Sequence, residues 1–211
     1  MEKEPKFRNI IFDIDGTLID TEQTGVLSLI QTVKELMGRD MSYEEGYSSF
    51  GIPSIKVGAL LGYEDTERFA HVWEGHFIEL EHLMKAFPGV GDMLARLSGA
   101  GCRIGCVTSR NRFEFDKDEE LRSLRKYFEL EICAEDTLRH KPDPEPALEF
   151  LRRSRAEAAD TIFVGDTMHD FQCASGAGLK FMLADWRSRG WQSIPADYIA
   201  HDAGEMLAHL L

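Results

Sequence analysis

A chain of 211 residues, 43% apolar and 29% charged, can bury one full core, alone or with one inserted domain. Its formal net charge of −13 offers no Lys/Arg excess to a phosphate backbone, so nucleic acid is excluded as an expected partner. No stretch approaches the ~20 apolar residues of a membrane span, and the polar start Met1-Glu2-Lys3-Glu4-Pro5-Lys6 does not read as a secretory signal.

The first predicted element is an apolar strand over Asn9–Asp13, leading into Asp13-Ile14-Asp15-Gly16-Thr17-Leu18. Residues i and i+2 of a strand point to the same side, so Asp13 and Asp15 are expected to face one centre. Two carboxylates that close repel unless a cation or a proton lies between them. A helix follows from Thr21 to about Met37, with Val26, Leu29, Val33 and Leu36 at helical spacing and Gly38 as its stop. Ser42-x-x-Glu45 reads as a capping box opening a short helix. Gly51-Ile52-Pro53 is a predicted turn before a helix over Ser54–Leu61. A long helix from about Thr66 to Lys85 carries Phe69, Trp73, Phe77, Leu80 and Met84 on one stripe. Residues 17–85 are therefore expected to be all-helical.

After Pro88-Gly89 helices and strands alternate. The predicted order is helix Val90–Ala100, strand Arg103–Thr108, helix Glu119–Tyr127, strand Leu130–Ala134, helix Glu145–Ser154, strand Thr161–Gly165, helix Met168–Ala177 and strand Lys180–Ala184. A short strand near Tyr198–Ile199 and a terminal helix complete it. Such alternation predicts an α/β fold with a Rossmann-like parallel sheet flanked by helices, joined by the first strand. Ligands of such sheets bind beyond the carboxyl ends of the strands, where Asp13 and Asp15 lie. Cys102, Cys106, Cys133 and Cys173 show no CxxC spacing and are expected to be reduced, buried thiols of a cytoplasmic protein.

Three further strand ends carry chemistry. One ends Cys106-Val107-Thr108-Ser109, with a hydroxyl at the sheet edge. One runs Val164-Gly165-Asp166-Thr167-Met168-His169-Asp170, with carboxylates at i and i+4 as a helix starts. Between them, His140-Lys141-Pro142-Asp143-Pro144 sets a lysine on a proline-stiffened loop. Taken singly, Lys141 would be a solvated lysine, and Asp166 and Asp170 a helix cap and a first-turn acid. A calcium loop fails for Asp13-x-Asp15-Gly16, because an EF-hand needs a third ligand before its glycine.

These four motifs, in this order, resemble the haloacid dehalogenase superfamily, and within it the phosphoglycolate phosphatase and β-phosphoglucomutase-like group with a helical cap. Asp20 and Phe87-Pro88-Gly89-Val90 fit the same pattern, so the resemblance spans the chain. It implies a core domain over 1–16 and 86–211 and a helical cap domain over 17–85. By resemblance Asp13 is the nucleophile that forms an aspartyl-phosphate, and Asp15 protonates the leaving oxygen and then activates water. The Asp13 carboxylate, the Asp15 carbonyl and Asp166 would hold Mg2+, with Asp170 anchoring the shell. Thr108, Ser109, Gly16, Thr17 and Lys141 would surround the phosphoryl group, Lys141 supplying positive charge to nucleophile and phosphate alike.

The resemblance thus implies Mg2+-dependent hydrolysis of a small phosphorylated metabolite, by a monomer or homodimer. A mutase of the β-phosphoglucomutase type and a pyrophosphatase are the alternatives. Mutases of the group tend to carry Glu-Asp where this chain has Gly165-Asp166. A non-catalytic protein on this scaffold would have lost Asp13, Asp15 or Lys141, and none is lost. Selectivity is expected in the cap loop Phe50-Gly51-Ile52-Pro53-Ser54-Ile55-Lys56, where Lys56 could meet an anionic group or be a solvated lysine. Arg110-Asn111-Arg112-Phe113-Glu114-Phe115-Asp116 is expected as a surface loop, although Arg110 or Arg112 could reach substrate.

Overall fold

Residues 5–49, 52, 54–187 and 193–211 are described by the structure, a computed structural model. The chain divides into two units, Met1–Ile19 with Ala86–Leu211 and Asp20–Lys85.

The first unit is built on β1 (Asn9–Phe12), whose Ile10, Ile11 and Phe12 are wholly buried. A strand apolar on both faces suits the middle of a parallel sheet. It pairs in parallel with β4 (Arg103–Val107) on one side and β6 (Thr161–Gly165) on the other. β5 (Phe128–Ile132), β7 (Lys180–Ala184) and β8 (Tyr198–Ala200) complete the order β5-β4-β1-β6-β7-β8, and all pairings are parallel. The sheet's flanking helices include α5 (Val90–Gly99), α8 (Glu145–Ser154), α9 (Met168–Gly176) and α10 (Ala203–Leu210). Phe150 of α8 and Cys173 and Ala174 of α9 join Ile11, Phe163 and Phe181 of the strands in one apolar cluster. The α/β class expected from the alternating pattern is the observed one. Cys102, Cys106, Cys133 and Cys173 are all buried and free, as expected.

The second unit holds α1 (Glu22–Met37), α2 (Tyr43–Tyr47), α3 (Ser54–Leu60) and α4 (Thr66–Glu79). Leu29 and Val33 of α1, Met41, Val57 of α3 and Phe69 of α4 form its core. The Ser42/Glu45 capping box is present in both directions. Trp73 donates its indole N–H to the buried Ser28 hydroxyl at 2.8 Å, which ties α4 to α1. The two connecting segments, β2 (Ile19–Asp20) and β3 (Lys85–Ala86), form a two-stranded sheet, so residues 17–85 are not wholly helical.

Several boundaries differ from expectation. The helix predicted to reach Lys85 stops at Glu79, where the Leu80 N–H reaches the carbonyls of His76 and Phe77 and a 3-10 turn follows over Glu81–Leu83. The strand predicted over Leu130–Ala134 is β5, two residues earlier. It ends because the Cys133 N–H leaves the ladder for the Asp136 carboxylate at 2.8 Å. The helix predicted over Glu119–Tyr127 is α7 (Glu119–Leu124), with its last turn tightened to 3-10. The predicted surface loop at 110–116 instead holds α6 (Arg112–Lys117), opened by a capping box between Asn111 and Glu114.

Candidate active site

All the motif residues of the first unit sit at the carboxyl ends of β1, β4 and β6 or on the loops beside them. The Asp13 N–H donates to the Val164 carbonyl at 2.9 Å, so Asp13 stays pinned to the sheet one residue past β1. Beyond it the chain folds over Ile14, whose carbonyl accepts the N–H groups of Thr17, Leu18 and Ile19 at 3.2, 2.9 and 2.9 Å. Asp15 therefore takes its direction from this turn; the strand pleat that was expected to aim it has already ended at Phe12. Gly16 has φ +81°, and a Cβ there would run into the Asp166 carboxylate. Both facts require glycine at this position.

Lys141 is the hub. Its Nζ donates to Asp13 Oδ1 at 2.5 Å, to Asp170 Oδ1 at 2.7 Å and to the Val107 carbonyl at 3.4 Å. Its side chain is only 7% exposed, far from the solvated lysine its local sequence would suggest. Burial alone would lower its proton affinity, but Asp13 and then Asp170 outweigh that and keep it firmly protonated. Asp170 is also the N3 residue of a capping box on α9, its Oδ2 accepting from the Thr167 N–H and hydroxyl at 3.1 and 2.5 Å. Asp170 is thus the first-turn acid its local sequence suggests, and the same carboxylate also orients Lys141, whereas the cap of α9 is Thr167 and not Asp166.

Gly165 makes this double duty possible. A Cβ on Gly165 would stand 2.5 Å from the Asp170 Cβ. Gly165→Ala is expected to push Asp170 off Lys141 and to cost at least ~10-fold in turnover with about 1–3 kcal/mol of stability. Thermal unfolding and a phosphate-release assay on the same preparation measure both.

One carboxylate oxygen from each of Asp13, Asp166 and Asp170 lies within 4.8 Å of the other two. Lys141 bonds two of these three acids, Asp13 and Asp170, and its one positive charge must also offset Asp166. Asp166 receives the Thr17 hydroxyl at 3.4 Å. Burial, ahead of the partly compensating Lys141, pushes the Asp13 carboxyl up to about 7. Burial and then Asp170 push Asp166 well above the usual carboxylate range. Excess negative charge in a dry cluster of hard oxygen donors fits a small divalent cation.

Thr108, at the end of β4, is buried, and its hydroxyl accepts the Arg110 N–H at 3.1 Å; Ser109 beside it is exposed. Arg110 departs most from expectation. Rather than lying on a surface loop it is turned inward, its Nε and Nη2 donating to Asp15 Oδ2 and Oδ1 at 2.8 and 2.6 Å. Its Nη1 donates to the buried Asp118 at 2.6 Å. Burial opposes the guanidinium charge, and Asp15 and Asp118 more than restore it. Asp118 was not among the residues expected here; its one sequence signal is an acid directly before a predicted helix. Arg112 is engaged instead by Glu131 and Asp136 at 2.7 and 3.3 Å, on the flank of β5. Lys56 is exposed on α3 of the other unit, and of the loop 50–56, residues 50, 51 and 53 lie outside the described residues.

Residues 10–184 match the family described as haloacid dehalogenase-like hydrolase. The chain is 29% identical over 204 residues to the pyrophosphatase PpaX of Oceanobacillus iheyensis, covering 95% of each protein. Among solved structures it is similar to a candidate phosphoglycolate phosphatase of Lactobacillus plantarum, with a TM-score of 0.81, 22% identity and coverage of 97% of this chain and 99% of that one. It is similar also to a candidate beta-phosphoglucomutase of Thermotoga maritima, with a TM-score of 0.78, 21% identity and coverage of 97% and 100%. At these identities the two structures speak for the fold. No helix among the described residues is long and apolar enough to cross a membrane.

Proposed function

The chain belongs to the haloacid dehalogenase-like hydrolases, and from that premise we propose that it hydrolyses a small phosphorylated metabolite, using Mg2+ and a phosphoryl group carried on Asp13. The observation that carries this reading is the buried Asp13 carboxylate, 2.5 Å from the Lys141 ammonium, with Asp15 two residues on. An Asp13 oxygen attacks phosphorus, and the bond to the leaving oxygen breaks as Asp15 delivers a proton to it. Water then attacks the phosphoryl group and its proton passes to Asp15. The bond to Asp13 breaks, phosphate departs and the carboxylate is regenerated. Lys141 holds the attacking oxygen in place and offsets charge on the phosphoryl oxygens, and the Thr108 hydroxyl orients one of them.

Mg2+ would be held by Asp13 and Asp166 with the Asp15 carbonyl, and Asp170 would steady that shell through Lys141 and Thr167. When bound, it supplies the positive charge that three carboxylates sharing one lysine lack. Gly165 supports hydrolysis over mutase chemistry, because a larger residue there collides with Asp170. Pyrophosphate is the first substrate to test, since the Oceanobacillus iheyensis relative is a pyrophosphatase.

Phosphate release from pyrophosphate, phosphoglycolate and a hexose phosphate, measured with and without Mg2+, tests the reading. Mg2+-dependent release from at least one is expected, and release from none would overturn it. A second readout is thermal. Metal binding must displace the protons that Asp13, at about 7, and Asp166 hold at lower pH. At a fixed concentration 100 times its Kd at pH 8, Mg2+ should stabilise the protein by about 2.7 kcal/mol, roughly 5–10 °C, at pH 8 and far less at pH 5.5, where its Kd is higher. Equal shifts at the two pH values would contradict the assignment of the metal to these acids.

A further inference from the structure

We propose that Arg110 and Asp118 form a bracket that aims the Asp15 carboxylate, making both of them positioning residues for proton transfer. The inference rests on the hydrolytic reading above, in which Asp15 carries the proton. Asp15 lies past the end of β1 on a turn, and its side chain is 37% exposed, so its own surroundings do little to fix its torsions. Arg110 does. A guanidinium presents its donors in one rigid plane, and a two-point contact fixes direction as well as distance. Here Nε and Nη2 meet the two Asp15 oxygens while Nη1 is fastened to Asp118, so three nitrogens set that plane.

The bracket is itself braced. Asp118 is the N-cap of α7, its Oδ1 accepting the Leu121 N–H at 2.9 Å while Oδ2 holds Arg110. The Arg110 N–H donates to Thr108 Oγ1 at 3.1 Å, and its carbonyl accepts the Ala134 N–H at 2.9 Å. Helix α7, the end of β4 and the turn after β5 thus converge on one side chain. Burying a guanidinium between two carboxylates is a poor route to stability, because well-packed apolar residues serve as well or better. What such an arrangement supplies is geometry. Lysine at position 110 would keep the charge and lose the fork.

Aiming has a kinetic signature that mere folding lacks. Proton delivery matters for a poor leaving group such as an alkoxide and little for the carboxylate that leaves acetyl phosphate. Water attack on the phosphorylated Asp13 is common to all substrates and needs Asp15 as base each time. For Arg110→Lys, kcat/KM on an alkyl phosphate such as phosphoglycolate should fall roughly 10- to 100-fold, with kcat/KM on acetyl phosphate within about threefold of wild type. The kcat values on both should fall, because the shared second step slows. Asp118→Ala should reproduce the pattern more weakly. Asp118→Asn, whose amide has one acceptor oxygen where Asp118 uses two, can serve Arg110 or the α7 cap but not both, and should fall between Asp118→Ala and wild type. Independently of turnover, the Arg110 Nε–H should give an exchange-protected 15N resonance in wild type that Asp118→Ala weakens.

Equal losses of kcat/KM on the two substrates, or wild-type kinetics in Arg110→Lys, would overturn the aiming role alone. An unprotected Arg110 resonance in wild type would overturn it as well. Wild-type protein inert toward both phosphates and toward pyrophosphate and a hexose phosphate would overturn the hydrolytic reading and the aiming role with it, whereas turnover of pyrophosphate alone would overturn only the aiming role.

Discussion

Lys141→Met is expected to lower phosphate release by at least ~10³-fold and to destabilise the metal-free protein by about 3–5 kcal/mol. Both effects follow from one ammonium serving Asp13 at 2.5 Å and Asp170 at 2.7 Å in a site with almost no solvent. Removing it leaves two buried carboxylates facing each other, and Asp166 adds a third. The stability loss should depend on pH with a definite sign. Carboxyls whose folded-state pKa is raised add stability that is fully present below their unfolded value near 4 and is lost as pH rises through the folded one. For Asp13 that value is about 7 with Lys141 in place. Without the lysine it moves higher still. Thermal unfolding of Lys141→Met should therefore lie near wild type at pH 5 and fall well below it at pH 8. A deficit that is the same at both would show that Lys141 acts through packing and not through charge.

Asp13→Asn is expected to separate activity from stability. The amide keeps the size of the carboxylate and removes both the attacking charge and one of the three acids that share Lys141. Turnover should drop by at least ~10⁴-fold, as for other enzymes stripped of a nucleophile. The metal-free protein should be more stable than wild type at pH 8, by about 1–2 kcal/mol, because a buried site that repels itself costs the fold. Stability should be unchanged at pH 5, where the Asp13 carboxyl already holds its proton. Denaturant unfolding at the two pH values measures this directly. Destabilisation at pH 8 would mean that the Lys141–Asp13 pair contributes more than the crowding of acids costs.

Much of this was legible in the residue order because the core strands declare themselves. Ile10-Ile11-Phe12, Ile104–Val107 and Ile162–Val164 are apolar runs bounded by polar or glycine residues, and a parallel sheet buries such runs on both faces. The acids and the lysine follow these runs or precede a helix, so their place at one sheet edge could be anticipated from the pattern alone. Boundaries set by a distant or side-chain partner could not. The alternating strand pattern of β5 gives way to the apolar Ile132-Cys133-Ala134 with no break, and the Asp136 side chain, by taking the Cys133 N–H, ends the strand at Ile132. Nothing between Thr66 and Lys85 signals a stop by proline, and α4 ends where Leu80 closes its last turn. Arg110 shows the same limit at the site. Its position beside Thr108 is visible in the order of residues, but its inward turn depends on Asp15, 95 positions earlier, and on Asp118. A long cationic side chain has no local preference for burial; its partners decide.

The central claim, that Asp13 carries the phosphoryl group, is tested most directly by rapid-quench mass spectrometry of the enzyme turning over acetyl phosphate with Mg2+. The expected result is one phosphoryl group on the peptide holding Asp13, lost on treatment with hydroxylamine as an acyl phosphate should be and absent in Asp13→Asn. A phosphoryl group on any other residue, or Mg2+-dependent turnover that persists in Asp13→Asn, would contradict it.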